Sequence, residues 1–336
     1  MKILVLGGTV FLSSAVVAEL VLRGHEVTCL ARGESEVPPK PAKLVRADRG
    51  EGRVAYDGLG GDWDAVMDVS WEPSYVRDAL EVLGERAGHW TYVSSCSVYA
   101  DNSGGELDES ATLLSALSPR EVSSLANYGE SKVACEEYCR AALESRLHIC
   151  RPGLIGGPGD PSDRFGYWPA RFARSHDDEV LVPQAETTLT STIDVRDLAQ
   201  WIVTAMESKI VGNFNALGAQ HTLAEVLSLC QSAADHRGEM IPIDEDWLLE
   251  HDVAPWSGEE SLPLWIPHSM GYDVFAKRTS ERALARGLSL RPLEETISAT
   301  LEFERHAGIN RRRKAGLSPE REKLLLEEWS LTRAFK

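Results

Sequence analysis

The first apolar run, residues 2–6 (Lys-Ile-Leu-Val-Leu), is short and unbroken, the pattern of a strand buried on both faces of a parallel sheet. Gly7-Gly8-Thr9 follows, and from about residue 11 to 22 apolar positions recur at helical spacing until Gly24 closes the segment. A second strand is read at 26–30, and further strands near 42–46, 64–69, 89–93 and 147–151. Helical patterns near 74–87 and 127–145 separate the last three. Strands that alternate with helices predict a parallel, doubly wound α/β sheet over residues 1–150.

After Pro152 the texture changes. Gly156-Gly157-Pro158-Gly159-Asp160-Pro161 is a loop, and the segments beyond it are irregular and rich in Trp, Pro and His. Thr222-Leu223-Ala224-Glu225 is a capping box that starts a helix, and Ser318-Pro319-Glu320 opens another with Pro at its first position. Residues 151–336 are therefore expected to form mainly a smaller α+β cap for substrate, with some segments returning to the first domain.

Composition narrows the function. Of 336 residues, 43% are hydrophobic and 26% charged, an ordinary globular mix. The formal net charge of −17 repels phosphate backbones, so no nucleic-acid partner is expected. No apolar run approaches the ~18 residues of a membrane span, and the first strand lacks the longer apolar region of a signal peptide. A cytoplasmic location without membrane association is the expectation. The six cysteines, at 29, 96, 135, 139, 150 and 230, complete no zinc pattern and are read as buried thiols, with no metal site. Arg311-Arg312-Arg313-Lys314 is read as a solvated element end rather than a nucleic-acid track.

Two features carry chemistry. Tyr128 and Lys132 stand four residues apart in Asn127-Tyr128-Gly129-Glu130-Ser131-Lys132, which places both on one face of a helix. An ammonium beside a phenol favours the ionised phenol and so makes a proton donor and acceptor for neutral pH. The second feature is the glycine turn between the first strand and its helix, a phosphate-binding device. Taken as Gly-x-x-Gly-x-x-Gly it reads Gly7, Val10, Ser13, so only the first glycine is present, with Gly8 beside it. Val10 avoids positive φ, so the turn must use ordinary dihedrals there. The turn is either a dinucleotide site or a structural turn that has lost its ligand. At the end of the second strand, Leu30-Ala31-Arg32-Gly33-Glu34 puts Ala31 where an acid would hold the ribose of NAD, and Arg32 next to it. This favours NADP(H), with NAD(H) possible through Glu34.

The glycine turn, Thr91-Tyr92-Val93-Ser94-Ser95 at the fifth strand and the Tyr-Gly-x-Ser-Lys helix together resemble the extended short-chain dehydrogenase/reductases, the NAD-dependent epimerase/dehydratase family. Asp48 after the third strand, Arg151-Pro152 followed by Gly157-Pro158, and Ile193-Asp194-Val195-Arg196-Asp197 extend the resemblance over nearly the whole chain. It implies a Rossmann-like domain and roles by position. Ser95 hydrogen-bonds the reacting oxygen, Tyr128 is the general acid/base, and Lys132 serves both the nicotinamide ribose and Tyr128. Gly7, Thr9, Val10, Phe11 and Leu12 form the phosphate turn, and Arg32 faces the 2′-phosphate. Asp48 meets the adenine, while Ser70, Ser94 and Pro152 line the cofactor. Ser97 and Leu154 fall at substrate positions. The resemblance also implies a homodimer through the helices near 74–87 and 127–145.

The chain departs from the family in ways that bear on substrate. Cys96-Ser97 stands where the 4,6-dehydratases carry Asp-Glu, Leu154 where an Asn contacts nucleotide-sugars, and Trp71 where Ala is usual. Gly-Gly-Thr-Val-Phe-Leu marks an atypical branch that includes plastid relatives linked to RNA. Arg164, Tyr167 and Trp168, with His268 further on, are candidate substrate contacts, or else the core of the cap itself. The reading is an NADPH-dependent carbonyl reductase or dehydrogenase acting on a small molecule. Its rivals are an epimerase with retained cofactor and a non-catalytic cofactor- or RNA-binding scaffold.

Overall fold

A computed structural model describes residues 1–34, 36–104, 107–272 and 274–334. The chain divides into two compact units. The first combines Met1–Gly153 with Val195–Leu217 and Arg278–Leu290; the second combines Leu154–Asp194, Gly218–Lys277 and Arg291–Lys336.

The first unit is built on β1 (Lys2–Leu6), α1 (Phe11–Leu22), β2 (Glu26–Ala31), β3 (Lys43–Arg46), β4 (Ala65–Asp68), α2 (Pro73–Leu83), β5 (Trp90–Val93), α3 (Tyr128–Leu143) and β6 (Leu147–Pro152). Two returning elements complete it, α4 (Val195–Glu207) and β7 (Gly212–Ala216). All seven strands are parallel, in the order 3-2-1-4-5-6-7. This is the doubly wound Rossmann-like arrangement that the alternation of strands and helices predicts, with the strand order reversing between β1 and β4. The sequence pattern does not reveal β7, because Gly-Asn-Phe-Asn-Ala carries two polar residues in a short run.

Both faces of the sheet are covered, which is why the central strand β1 reads as an apolar run after Lys2. On one face Leu4, Val66, Trp90 and Ile149 pack with Val76, Ala79 and Leu83 of α2 and Cys135, Cys139 and Leu143 of α3. On the other, α1 lies against α4. Arg23 at the end of α1 ties the two, donating to Glu19, Glu207 and the Thr204 hydroxyl. Burying Val16, Val17 and Leu20 of α1 contributes on the order of 1.5–3 kcal/mol each. All six cysteines are buried and unpaired. No helix among the described residues is long and apolar enough to cross a membrane.

The second unit has its own core. It holds a sheet of Gln220–Thr222, Leu189–Asp194 and Leu154–Gly156, and a parallel pair of Val180–Pro183 with Met240–Ile243. The helices Arg164–Ala173, Leu223–Ala233, Leu293–Ala307 and Pro319–Ala334 belong to the same unit. The capping box forms as the sequence indicates: Glu225 N donates to Thr222 Oγ1 at 3.1 Å and Thr222 N to Glu225 Oε2 at 2.8 Å.

The basic run 311–314 is only partly the solvated end that the sequence suggests. Arg311 pairs with Asp163 and Glu304, Arg313 with Glu304 at 2.6 Å, and Lys314 N donates to Asp163 Oδ2 at 2.9 Å. Arg312, paired with Glu259, and Lys314, whose ammonium donates to Pro161 O at 3.0 Å, remain exposed. Sequence spacing cannot reveal this clamp, because Asp163 lies about 150 residues away in the chain.

Beneath α4, His148 of β6 is fully buried against Trp201 and Phe214, with Thr91 Oγ1 3.4 Å from its Nδ1 and His89 6.4 Å away between ring centroids. Burial, reinforced by His89, pushes the His148 imidazole down to about 3, and burial also lowers His89. The unfolded chain therefore binds a proton near pH ~6.5 that the folded chain refuses. Stability is full above that value and falls as pH drops from ~6.5 towards 3, by about 1.4 kcal/mol per pH unit for this group. Urea unfolding of His148→Phe between pH 7 and 4 should lose that increment of acid sensitivity; an unchanged pH slope would reject the assignment.

Candidate active site

The glycine turn leaves β1 with Gly7 at φ +117° and Gly8 at φ +94°. Gly8 is confined from the side as well: a β-carbon there would lie 2.5 Å from Cys29 Sγ and 3.2 Å from Val17 Cγ2. Val10 is extended at φ −135°, as its branched side chain requires, and Phe11 takes the positive φ, +39°. Ser13 turns its hydroxyl back to Val10 O at 2.9 Å. Thr9 and Leu12 are buried, and Val10 is 45% exposed.

The residues present fit a dinucleotide pyrophosphate. No side chain caps the N-terminus of α1 and no acid stands in its first turn, so its first N–H groups are open to an anion. At the β2 end Arg32 is largely exposed and pairs with Glu34 at 3.3 Å. Asp48 is exposed and accepts Gly50 N at 2.8 Å. Arg46, which sequence reading does not single out, arrives beside Arg32 because β3 pairs Arg46 with Ala31.

Lys132 is the fixed point of the site. Its ammonium, on a side chain only 2% exposed, donates to Val93 O at 2.7 Å, Ser70 O at 3.0 Å and Val69 O at 3.2 Å. The carboxyl ends of β4 and β5 are thus bound to α3. All three donors are occupied, so holding a ribose hydroxyl requires one of these bonds, Val69 O being the longest, to be exchanged. The segment that supplies the carbonyls is itself braced. Asp68 Oδ1 accepts Ser70 N, Tyr92 donates its hydroxyl to Ser70 O, and Asp68 is gripped by both Arg49 Nη atoms at 2.7 and 2.8 Å. Trp71 follows and places its ring 5.8 Å from that of Tyr128.

Tyr128 begins α3, half-buried, and Lys132 Nζ is 6.0 Å from its ring centroid. One further turn along, Glu136 is buried and binds Arg151 of β6 through two bonds, 2.9 and 2.7 Å. Burial works to raise the Glu136 carboxyl, but the Arg151 hydrogen bonds and charge outweigh it and hold the group below its ordinary value. Tyr128, Lys132 and Glu136 thus succeed one another at four-residue intervals, and the last fixes the rotation of the helix that presents the first two. The i+4 step from Lys132 was the sequence signal for it.

Ser95, two residues beyond β5, caps the short turn Cys96–Val98, accepting Ser97 N and donating to Ser97 Oγ, both at 3.1 Å. Gly129 lets α3 lie directly on this turn: a β-carbon there would sit 2.3 Å from Ser97 O and 2.6 Å from Leu114 Cδ1. Ser94 is buried, with its N–H on Cys150 O, and Pro152 closes β6 opposite Ala216.

The remaining candidates belong to the second unit, and three of them are buried in its core. Leu154, Tyr167 and Trp168 are buried in one apolar cluster. Trp168 donates its indole N–H to Pro263 O at 2.7 Å, and the Tyr167 ring fills the space that Gly316 leaves, where a β-carbon would lie 2.0 Å away. Arg164 stacks over Trp256 at 5.1 Å, and His268 is exposed with Nε2 3.3 Å from Thr187 Oγ1.

Residues 74–216 match the model of the NAD dependent epimerase/dehydratase family. A comparison with curated protein sequences gives no match. Among solved structures, the UDP-glucose 4-epimerase of Thermus thermophilus in complex with NAD is similar with a TM-score of 0.64 at 20% identity, over 92% of this chain and 100% of that one. Bordetella bronchiseptica WbmH with NAD+ gives 0.62 at 17%, over 91% and 99%. UDP-glucuronic acid 4-epimerase from Bacillus cereus with NAD gives 0.61 at 15%, over 91% and 99%. At these identities the likeness is one of fold.

Gly129 offers a test whose sign is decided by packing. Inside a helix, Ala is favoured over Gly by about 1 kcal/mol, so an uncrowded position would be stabilised. The contact with Ser97 O predicts instead that Gly129→Ala lowers stability by ~1–3 kcal/mol. A raised denaturation midpoint would show that α3 does not rest on the Ser95 turn.

Proposed function

We propose that the chain, whose residues 74–216 match the model of the NAD dependent epimerase/dehydratase family, is a member of that family and a nicotinamide-dependent oxidoreductase, an NADPH-dependent reductase of a small-molecule carbonyl. The observation that carries the reading is the joint placement of Tyr128 and Lys132 on α3, with that helix resting through Gly129 on the turn capped by Ser95. A bound nicotinamide supplies the hydride. The chain supplies the proton and its control. The Tyr128 hydroxyl gives its proton to the carbonyl oxygen as charge develops there, and Ser95 positions that oxygen with its own hydroxyl. Lys132 places a fixed positive charge beneath the phenol and is held in place by the three carbonyls. Dehydration of a sugar lacks its acid and base here, because Cys96 is buried and its thiol is pushed up to about 12 by burial. NADP(H) over NAD(H) is supported by Arg32 and Arg46 at the β2–β3 corner.

The structural likeness to epimerases favours a second reading, in which the cofactor is retained and the same tyrosine removes and returns the proton. Leu154 counts against a nucleotide-sugar substrate in that case, since it offers no amide and is buried in the core of its own unit. The two readings part on stoichiometry: a reductase consumes one NADPH per product, and an epimerase none. Tyr128→Phe should keep cofactor affinity within about twofold and lose at least ~100-fold in turnover. Turnover within a few fold of wild type would remove Tyr128 from proton transfer. Failure of both nicotinamide cofactors to bind at millimolar concentration would remove the reading altogether.

A further inference from the structure

The register of β2 on β3 brings a second guanidinium to the first unit's cofactor corner. Arg32 follows the last residue of β2, and Arg46, the last residue of β3, stands opposite Ala31. Between them lies Gly33 at φ +74°. A β-carbon on Gly33 would be 2.9 Å from Arg46 Nε and 3.6 Å from its Cδ, so the Arg46 side chain lies along the bare face of that turn. The two arginines differ in what they already hold. Arg32 shares its charge with Glu34 at 3.3 Å. Arg46 is exposed and makes no ion pair among the described residues, and the nearby Asp48 carboxylate is turned onto Gly50 N.

In a doubly wound sheet the ribose of the adenosine half sits outside the carboxyl end of β2. Planar guanidiniums suit phosphate oxygens, and an unpaired one gains most from a group carrying close to two charges. We propose that Arg46 is a specificity-determining residue for the 2′-phosphate of NADP(H), closing on it with Arg32 as two arms across Gly33. Arg46 is the stronger arm, because Arg32 must first be drawn from Glu34. The inference rests on the nicotinamide reading above and adds a residue to it.

Fluorescence titration of the full chain with NADPH and NADH tests it. Arg46→Ala should raise the NADPH Kd at least tenfold and change the NADH Kd less than twofold. Arg32→Ala should raise the NADPH Kd by a smaller factor. The same order should hold for competition by 2′,5′-ADP against 5′-AMP, which probes the adenosine corner without the nicotinamide. Equal effects of Arg46→Ala on both cofactors, no effect on NADPH, or a wild type that prefers NADH would each overturn the proposal. If neither nicotinamide cofactor binds but 2′,5′-ADP binds in an Arg46-dependent way, the clamp stands and the redox reading falls. If neither binds and 2′,5′-ADP is no better than 5′-AMP, both fall.

Discussion

The site depends on one buried ammonium. Lys132 is withdrawn from water and given three backbone carbonyls in return, from the ends of β4 and β5. Burying a lysine is costly unless every donor is satisfied, and here the satisfaction comes from strand ends rather than from a carboxylate. The consequence is positional. An acid partner would neutralise the charge, whereas carbonyls hold it while leaving its field intact beside Tyr128. The helix cannot rotate or slide without breaking these bonds and the Glu136–Arg151 pair together.

The same economy of position shows in the turns. Around the candidate site, Gly8, Gly129 and Gly33 matter because something crosses close to each. Gly8 faces Cys29 and Val17, Gly129 faces the Ser97 carbonyl, and Gly33 faces the Arg46 side chain. The Gly-x-x-Gly-x-x-Gly pattern is short of two glycines, yet the turn remains open towards α1. Val10 adopts an extended conformation, Phe11 takes over the positive φ, and Ser13 folds its hydroxyl onto Val10 O. The departure in sequence thus alters the lining of the turn, where Val10 is exposed, more than its backbone path.

The sheet was legible in the chain because a parallel strand buried on both faces leaves a mainly apolar run, as at residues 3–6, and because such runs alternate with helical patterns. Tyr128 and Lys132 were legible because helix geometry converts a spacing of four into a shared face. Tyr167 and Trp168 were harder to place. An aromatic that lines a pocket and one that fills a core have the same composition, and Gly316, far along the chain, decides the matter by leaving room for the Tyr167 ring. The basic run at 311–314 misleads for the same reason: its acids, Asp163 and Glu304, are brought to it by folding.

The sequence by itself determined what local periodicity and short spacings can encode: the alternating strands and helices, the glycine turn at the head of α1, the capping box at Thr222 and the tyrosine–lysine face of α3. Only the tertiary structure decided which polar groups are held by distant partners. It gave Lys132 its three carbonyls, bound Glu136 to Arg151, buried His148 beneath α4 and set Arg46 across Gly33 from Arg32. The physical reason is that charge and packing act through space. A residue's type records what it can do, and the contacts that fix what it does are made between segments whose separation along the chain carries no information about their distance.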